Sequence, residues 1–322
     1  MASRSFGRDA NRQKTKRILA SIRAKKETKG MKINIVILIL FLKTIWVSAQ
    51  TKGIVVDENN LPIPYVNIWV EGENIGTTSQ EDGTFIINCT EEKILVFSAI
   101  GYENQKIALN KTNQILLKSK TLSLNEVVIT TLKNSKELEI GGAKKIHHTQ
   151  LSGNKPWIYA KLFPFEEIYD ETPFLKKIIF FSNSEKNNAK LKIRFFQLED
   201  SIPTNDLTEE DIIVTVKKGM RKNVIDISKY KLRIPKNGVL VGLEWLIIPE
   251  NFYEFKYKDG KTKKMIVAPN YAPSLVINYS DELNSFTYSS GMWRRARKYK
   301  LNNDRPWDNK IMTPAINLIL TN

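Results

Sequence analysis

The residues with the densest chemical potential stand near the C-terminal end, in Met292-Trp293-Arg294-Arg295-Ala296-Arg297-Lys298-Tyr299-Lys300. Guanidinium forks bind phosphate or carboxylate in bidentate fashion, and aromatic faces take sugar rings or cations. Trp293, Arg294, Arg295, Arg297 and Tyr299 therefore form a candidate ligand-binding patch for an anionic glycan or a protein partner. The run follows Ser289-Ser290-Gly291, so it begins at a hairpin turn. The alternative is a solvated edge strand whose cations block edge-to-edge pairing.

Other constellations are weaker. Trp157, Tyr159, Trp245, Trp293 and Trp307 are candidates for a sugar platform, but Trp245 lies inside an apolar run and reads as core. Glu166-Glu167 with Asp170-Glu171 is the densest acidic cluster. Glycoside hydrolysis needs two carboxylates at a defined separation across a cleft, and nothing in the spacing fixes one, so a charged loop is expected. The two histidines, His147 and His148, are adjacent. Neighbours on an extended chain point to opposite sides and chelate poorly. With a single cysteine, Cys89, no intramolecular disulfide is possible, and a small buried apolar role is expected. Gly-rich phosphate loops, Gly-x-Ser-x-Gly elbows and Cys-His pairs are missing. The expectation is a chain without catalytic residues, metal or cofactor.

The elements that must position these residues are strands. Between Thr51 and Thr130, short β-branched runs alternate with turn residues: Lys52–Val56, Tyr65–Val70, Thr84–Asn88, Lys93–Ala99, Glu103–Ala108 and Asn113–Lys118. Six or seven such strands make a sandwich of two small sheets. Asp82-Gly83 fits a tight hairpin between Thr77-Thr78 and Phe85-Ile86-Ile87, because Gly accepts positive φ. From Pro156 to Asn322 ten further apolar runs read as strands and predict a larger, jelly-roll-like sandwich. Lys190, Lys192 and Arg194 alternate with Leu191, Ile193 and Phe195, which predicts one wet face and one core face. Gly238–Ile248 is nearly all apolar and fits a strand covered on both sides. Polar residues 131–155, with Gly141-Gly142, read as a linker.

The first stretch carries a resemblance. Gly53-x-Val55-x-Asp57, Leu61-Pro62, Val66-Asn67-Ile68, Gly72, Gly76-Thr77-Thr78, Glu81-Asp82-Gly83-x-Phe85, Phe97, Gly101-Tyr102 and Leu122-x-x-x-Glu126-Val127-Val128 resemble the carboxypeptidase-regulatory-like domain. The resemblance implies a transthyretin-like seven-stranded sandwich over 51–130, of a kind abundant in Bacteroidetes cell-envelope proteins and often preceding TonB-dependent receptors. It does not imply peptidase activity. Zinc carboxypeptidases need His-x-x-Glu and a distant second His, and this chain has no His-x-x-Glu. About 190 residues follow the module, fewer than a plug and a 22-stranded barrel require. Ile225-Asp226-Ile227-Ser228-Lys229-Tyr230, Ile234-Pro235 and Gly242-Leu243-Glu244-Trp245 resemble a domain that follows this module elsewhere and has no assigned activity.

The N-terminal residues read as delivery. Residues 1–30 carry ten Lys or Arg and two acids, a basic leader or a start placed too early. Met31–Ala49 has the charged opening, the apolar run Ile33–Leu42 and the Val47-Ser48-Ala49 cleavage pattern of a signal peptide. The ten-residue run is too short to span a bilayer, so no transmembrane span is expected after cleavage. No Cys follows, so a lipoprotein signal is not expected. The formal net charge is +16; removing residues 1–49 leaves 38 cations against 32 acids, a net of +6. The nucleic-acid signature largely leaves with the leader. The resulting expectation is a non-catalytic exported binding protein, periplasmic or outer-membrane associated, partnered by an envelope protein or an anionic envelope glycan such as lipopolysaccharide. The alternative is a glycan-active hydrolase carried on the second sandwich.

Overall fold

In the computed structural model, residues 50–90, 93–108, 114–120, 135–298 and 308–322 are described. The basic leader, the signal segment, Tyr299 and Trp307 lie outside them. The first alternating runs become β1 (Thr51–Val56), β2 (Asn67–Val70), β3 (Gly76–Thr78), β4 (Thr84–Ile87), β5 (Ile94–Ser98), β6 (Gln105–Ala108) and β7 (Gln114–Leu116). They form two sheets, β4-β1-β7 and β3-β2-β5-β6, with β1 and β7 parallel. Val55, Val66, Ile68, Phe85, Leu95 and Phe97 fill the space between them, and Phe85 and Phe97 meet edge to face at 5.8 Å. This is the expected seven-stranded sandwich. One local expectation is corrected: Asp82-Gly83 does not close a hairpin. β3 and β4 belong to different sheets, so the turn carries the chain from one sheet to the other. Gly83 is still required, because φ is +77° and a Cβ would stand 2.7 Å from the Val55 carbonyl oxygen.

The rest of the chain supplies β8 (Glu137–Ile140), β9 (Thr149–Gln150), β10 (Ile158–Phe163), β11 (Phe174–Ser184), β12 (Ala189–Glu199), β13 (Ile202–Asp206), β14 (Ile212–Val216), β15 (Gly219–Asp226) and β16 (Val239–Trp245). It continues with β17 (Phe252–Lys258), β18 (Met265–Tyr271), β19 (Ser274–Ser280), β20 (Ser285–Ser289), β21 (Met292–Arg295), β22 (Ile311–Pro314) and β23 (Ile316–Thr321). One sheet runs β13-β12-β16-β10-β20-β21, with β14 also on β12. The facing sheet runs β22-β19-β11-β23-β8, with β15 on β11 and β9 on β19. Leu191, Ile193, Phe195, Val241, Leu243 and Trp245 of the first sheet pack on Ile178, Phe180, Leu275, Ile316 and Leu318 of the second. Trp245 is fully buried and its Nε1 donates to the Pro273 carbonyl at 2.5 Å. The chain is all-β; among the described residues no helix is long and apolar enough to cross a membrane.

The predicted linker is partly structural. Glu137-Leu138-Glu139-Ile140 alternates, Leu138 and Ile140 pack against the larger core, and the strand pairs with β23 from Leu318↔Ile140 to Thr321↔Glu137. The side-chain oxygen of Asn322 accepts from the backbone of Ser135 and Lys136 at 3.0 and 3.1 Å. A four-residue alternation gains its stability only from a partner edge more than 170 residues away, which composition does not reveal.

The wet face expected on β12 is also corrected. Lys192 and Arg194 are 1% and 9% exposed. They lie on the side of the β12-β16 sheet that faces away from its own core, and the small sandwich covers that side. Gln50–Asn322 is accordingly one compact unit, and β16 is buried on both faces, as its apolar run predicts.

Candidate functional site

The seam between the two sandwiches is polar, and its contacts are specific. Lys192 donates to the Tyr65 carbonyl at 3.0 Å and pairs with Asp211 at 2.9 Å. Tyr65 has φ +55°, an uncommon left-handed conformation for a bulky residue; in it the ring packs with Leu246 and Ile248 across the seam. Lys190 donates to the Tyr65 hydroxyl at 2.9 Å and to Glu81 at 2.8 Å. The hydrogen bonds it donates, first to Glu81 and then to Tyr65, hold the Lys190 ammonium above the usual lysine range. Ile247 donates through its backbone to the Thr78 hydroxyl at 3.0 Å. Gly76 is seated so closely that a Cβ would come 2.8 Å from Pro156 Cδ.

Arg194 is the hub. Its Nε and Nη2 reach the two oxygens of Asp206 at 2.9 and 2.5 Å, and Nη1 reaches Glu244 at 3.2 Å. Burial pulls the Arg194 guanidinium down, but the charges of Asp206 and Glu244 outweigh it and hold it above its ordinary range. Glu244 is wholly buried and also accepts from the Asn67 amide of the small sandwich. The Gly-Leu-Glu-Trp run thus divides its work. Glu244 holds Arg194 and Trp245 fills the core. Gly242 makes room, since a Cβ there would stand 2.6 Å from Ile158 Cγ2 and 3.2 Å from the Phe196 ring.

Beside this network the seam opens into a cleft of about 450 Å³. The turn 98–104 between β5 and β6 forms one wall, and Asn205, Asp206, Tyr288 and Trp293 stand opposite. Trp293 meets Phe196 edge to face at 4.9 Å and lies 5.1 Å from Tyr288. The Arg194 guanidinium covers the Phe196 ring at 4.8 Å. Lys120 fixes the Asn205 amide oxygen at 2.8 Å. Burial raises the Tyr288 hydroxyl, Arg194 offsets part of that, and Glu244 and Asp206 add to it, so the group remains a hydrogen-bond donor at neutral pH. Thr208 is 5% exposed, lines the cleft, and its hydroxyl has no hydrogen-bond partner among the described residues. The Thr204 hydroxyl stands likewise. Aromatic faces beside amide, hydroxyl and carboxylate groups, with positive and negative charges both present, suit a polyhydroxylated ligand.

The predicted patch is divided. β20 and β21 form the expected hairpin, with Tyr288 opposite Trp293 and Phe286 opposite Arg295. Cross-strand partners share a face, so Trp293 and Arg295 project toward the Phe196 side while Met292 and Arg294 project away. Trp293 is half-buried; Arg294, Arg295 and Arg297 are exposed. Arg295 donates to the Leu283 carbonyl at 2.8 Å and covers the Phe286 ring at 5.4 Å, and Arg294 donates to Ser289 at 3.1 Å. Tyr299 lies outside the described residues. Trp157 stacks on Trp245 at 4.3 Å and donates to the Ser152 carbonyl, so neither is a surface platform. The acidic cluster is spread over separate contacts: Glu166 on Tyr169, Asp170 on Lys236 and Glu171 on Lys136. His148 packs against Tyr279, with Nδ1 2.9 Å from its hydroxyl. Cys89 is buried, and burial raises its thiol. Among the described residues no three His, Cys, Asp or Glu side chains are grouped to hold a metal. Phe196, Tyr288 and Asp206 carry no motif that singles them out in the sequence, and Gly101-Tyr102 of the 98–104 turn stands out only as part of the resemblance string, not as a site.

Comparison with known proteins agrees with the architecture of the first sandwich. Over 98 residues the chain is 32% identical to the TonB-dependent receptor P39 of Formosa agariphila, covering 30% of this chain and 9% of the receptor. Over 92 residues it is 33% identical to the TonB-dependent receptor SusC of Bacteroides thetaiotaomicron, covering 29% of this chain and again 9% of the receptor. The chain thus spans about a tenth of the length of these curated relatives. Among solved structures, the Clostridial cysteine protease Cwp84 after propeptide cleavage aligns with a TM-score of 0.36 at 9% identity, over 84% of this chain and 70% of that one. The model of the CarboxypepD_reg-like domain matches residues 51–129. With seven strands in two sheets and that match, the first sandwich is a CarboxypepD_reg-like domain.

Proposed function

We propose that this chain is a non-catalytic, exported binding protein of the cell envelope, and that a glycan is held in the cleft between its two sandwiches. The observation that carries the reading is the wall of Trp293, Phe196 and Tyr288 lining the same cleft as Asn205 and the turn 98–104. A half-buried aromatic face at the wall of a cleft gains when a sugar ring stacks on it. The envelope setting rests on the similarity of the first sandwich to a segment of TonB-dependent receptors and on the signal-like run Met31–Ala49. The non-catalytic reading rests on Asp206, which commits both oxygens to Arg194.

The test is retention on a glycan array and on immobilised lipopolysaccharide, with thermal melts of every variant. Trp293→Ala should weaken retention about threefold to tenfold at low and high salt, because stacking is not screened. Arg294→Ala/Arg295→Ala should act only at low salt. Equal retention by all variants would overturn the site. Release of shortened glycan by the wild type would replace binding with hydrolysis.

A further inference from the structure

The β17–β18 hairpin is a two-stranded ribbon, paired with no other strand among the described residues. Its register sets Lys256 beside Val267 and Lys258 beside Met265 on one face. The base of the ribbon is tied down. Asn270 donates to the Tyr253 hydroxyl at 2.6 Å, and its oxygen accepts from Ser152 Oγ at 2.6 Å and from the Gly153 backbone at 2.8 Å. The outer half is different. Met265 is 64% exposed and Val267 53%. The turn beyond them, Asp259-Gly260-Lys261-Thr262-Lys263-Lys264, adds three exposed lysines. Asp259 is engaged within that turn, accepting from the Thr262 backbone and hydroxyl at 2.5 and 2.6 Å. Lys256 is 3.9 Å from Glu254, and among the described residues none of the other four lysines is in an ion pair. Five lysines against Glu254 and Asp259 give the ribbon a net charge of +3.

Lysines and Pro269 on an open ribbon also prevent edge pairing. That role does not call for two large aliphatic side chains standing in water at the far end of an anchored hairpin. A soluble polyanion would meet the lysines and leave Met265 and Val267 wet. An anionic bilayer surface satisfies both: phosphate headgroups meet the ammonium groups, and the aliphatic stripe enters the boundary between headgroups and acyl chains. Lysine stems suit this, since they cover apolar surface while the charge stays hydrated.

We propose that the β17–β18 ribbon docks the protein on an anionic lipid bilayer surface. The proposal does not depend on the cleft. The test is co-sedimentation of the chain from Gln50 onward, which spans the whole compact unit, with vesicles of phosphatidylcholine alone or mixed with phosphatidylglycerol. The wild type should bind the mixed vesicles and not the neutral ones, and should release as salt rises. Lys261→Gln/Lys263→Gln/Lys264→Gln should weaken binding on the order of 100-fold. Met265→Ser/Val267→Ser should weaken it on the order of tenfold, and the deficit should persist at low salt. Melts should be unchanged, because all five side chains are exposed. Failure of the wild type to bind mixed vesicles, or equal binding to neutral ones, would overturn the proposal. So would an unimpaired Met265→Ser/Val267→Ser variant that binds heparin as tightly as vesicles, which would make a soluble polyanion the partner.

Discussion

Replacing Arg194 with Met removes the one cation that Asp206 and Glu244 share. Arg194 is nine-tenths buried and Glu244 wholly so. The variant would leave Glu244 with only the Asn67 amide and Asp206 with neither of its guanidinium bonds. Stranding a buried charge by removing its partner costs roughly 3–5 kcal/mol. For a unit of this size each kcal/mol lowers the melting temperature by about 2–4 °C, so a fall on the order of 10 °C is expected by calorimetry. Glu244→Gln should cost less, since Arg194 keeps both bonds to Asp206 and the amide keeps the shape. Lys190→Ala removes a pair whose Glu81 partner is 75% exposed and should leave the melt nearly unchanged. If Arg194→Met melts with Lys190→Ala, water reaches the seam, and the argument that the two sandwiches are joined by buried charge is wrong.

Three further outcomes are expected. Burial pulls the Lys161 ammonium down to about 8, with Nζ on the Gly141 and Ile316 carbonyls. Between that value and about 10.4 the unfolded chain binds more protons, so stability rises with pH there; urea melts at rising pH should lose a gain of about 3 kcal/mol across that window in Lys161→Met. Gly242→Ala forces a Cβ against Ile158 and Phe196 and should cost about 1–3 kcal/mol by denaturant titration. The exported protein should begin at or near Gln50 by N-terminal sequencing; residues 1–30 still attached would refute the signal reading.

The small sandwich was legible because its strands alternate cleanly and its turns carry Asp, Asn and Gly. Val66, Ile68 and Val70 point inward as their spacing says. The seam was not legible, for a physical reason. Period-two alternation separates two faces but does not say what covers the polar one. Lys190, Lys192 and Arg194 look the same whether they face water or the Tyr65–Asn67 segment, and only Gly242 and Glu244, opposite them on β16, mark the place as crowded and charged. The same limit hid the cleft: Trp293 was found by its cationic neighbours, yet its partners Phe196 and Tyr288 come from other strands. The strand character of Met265–Tyr271 is masked in the sequence because Pro269 and Asn270 lower β propensity, a penalty that an open two-stranded ribbon tolerates. Cross-sheet passage at Asp82-Gly83 could not be told from a hairpin, since both need the same positive φ.

The central claim is that the seam cleft is where a ligand sits, and hydrogen–deuterium exchange with the best-retained glycan tests it most directly. The account predicts that protection appears together in three segments distant in sequence, 98–104 of the small sandwich and 204–208 and 288–293 of the larger one, because all three line one cleft. Protection confined to the exposed cations Arg294 and Arg297, with residues 98–104 exchanging as they do in the free protein, would contradict it.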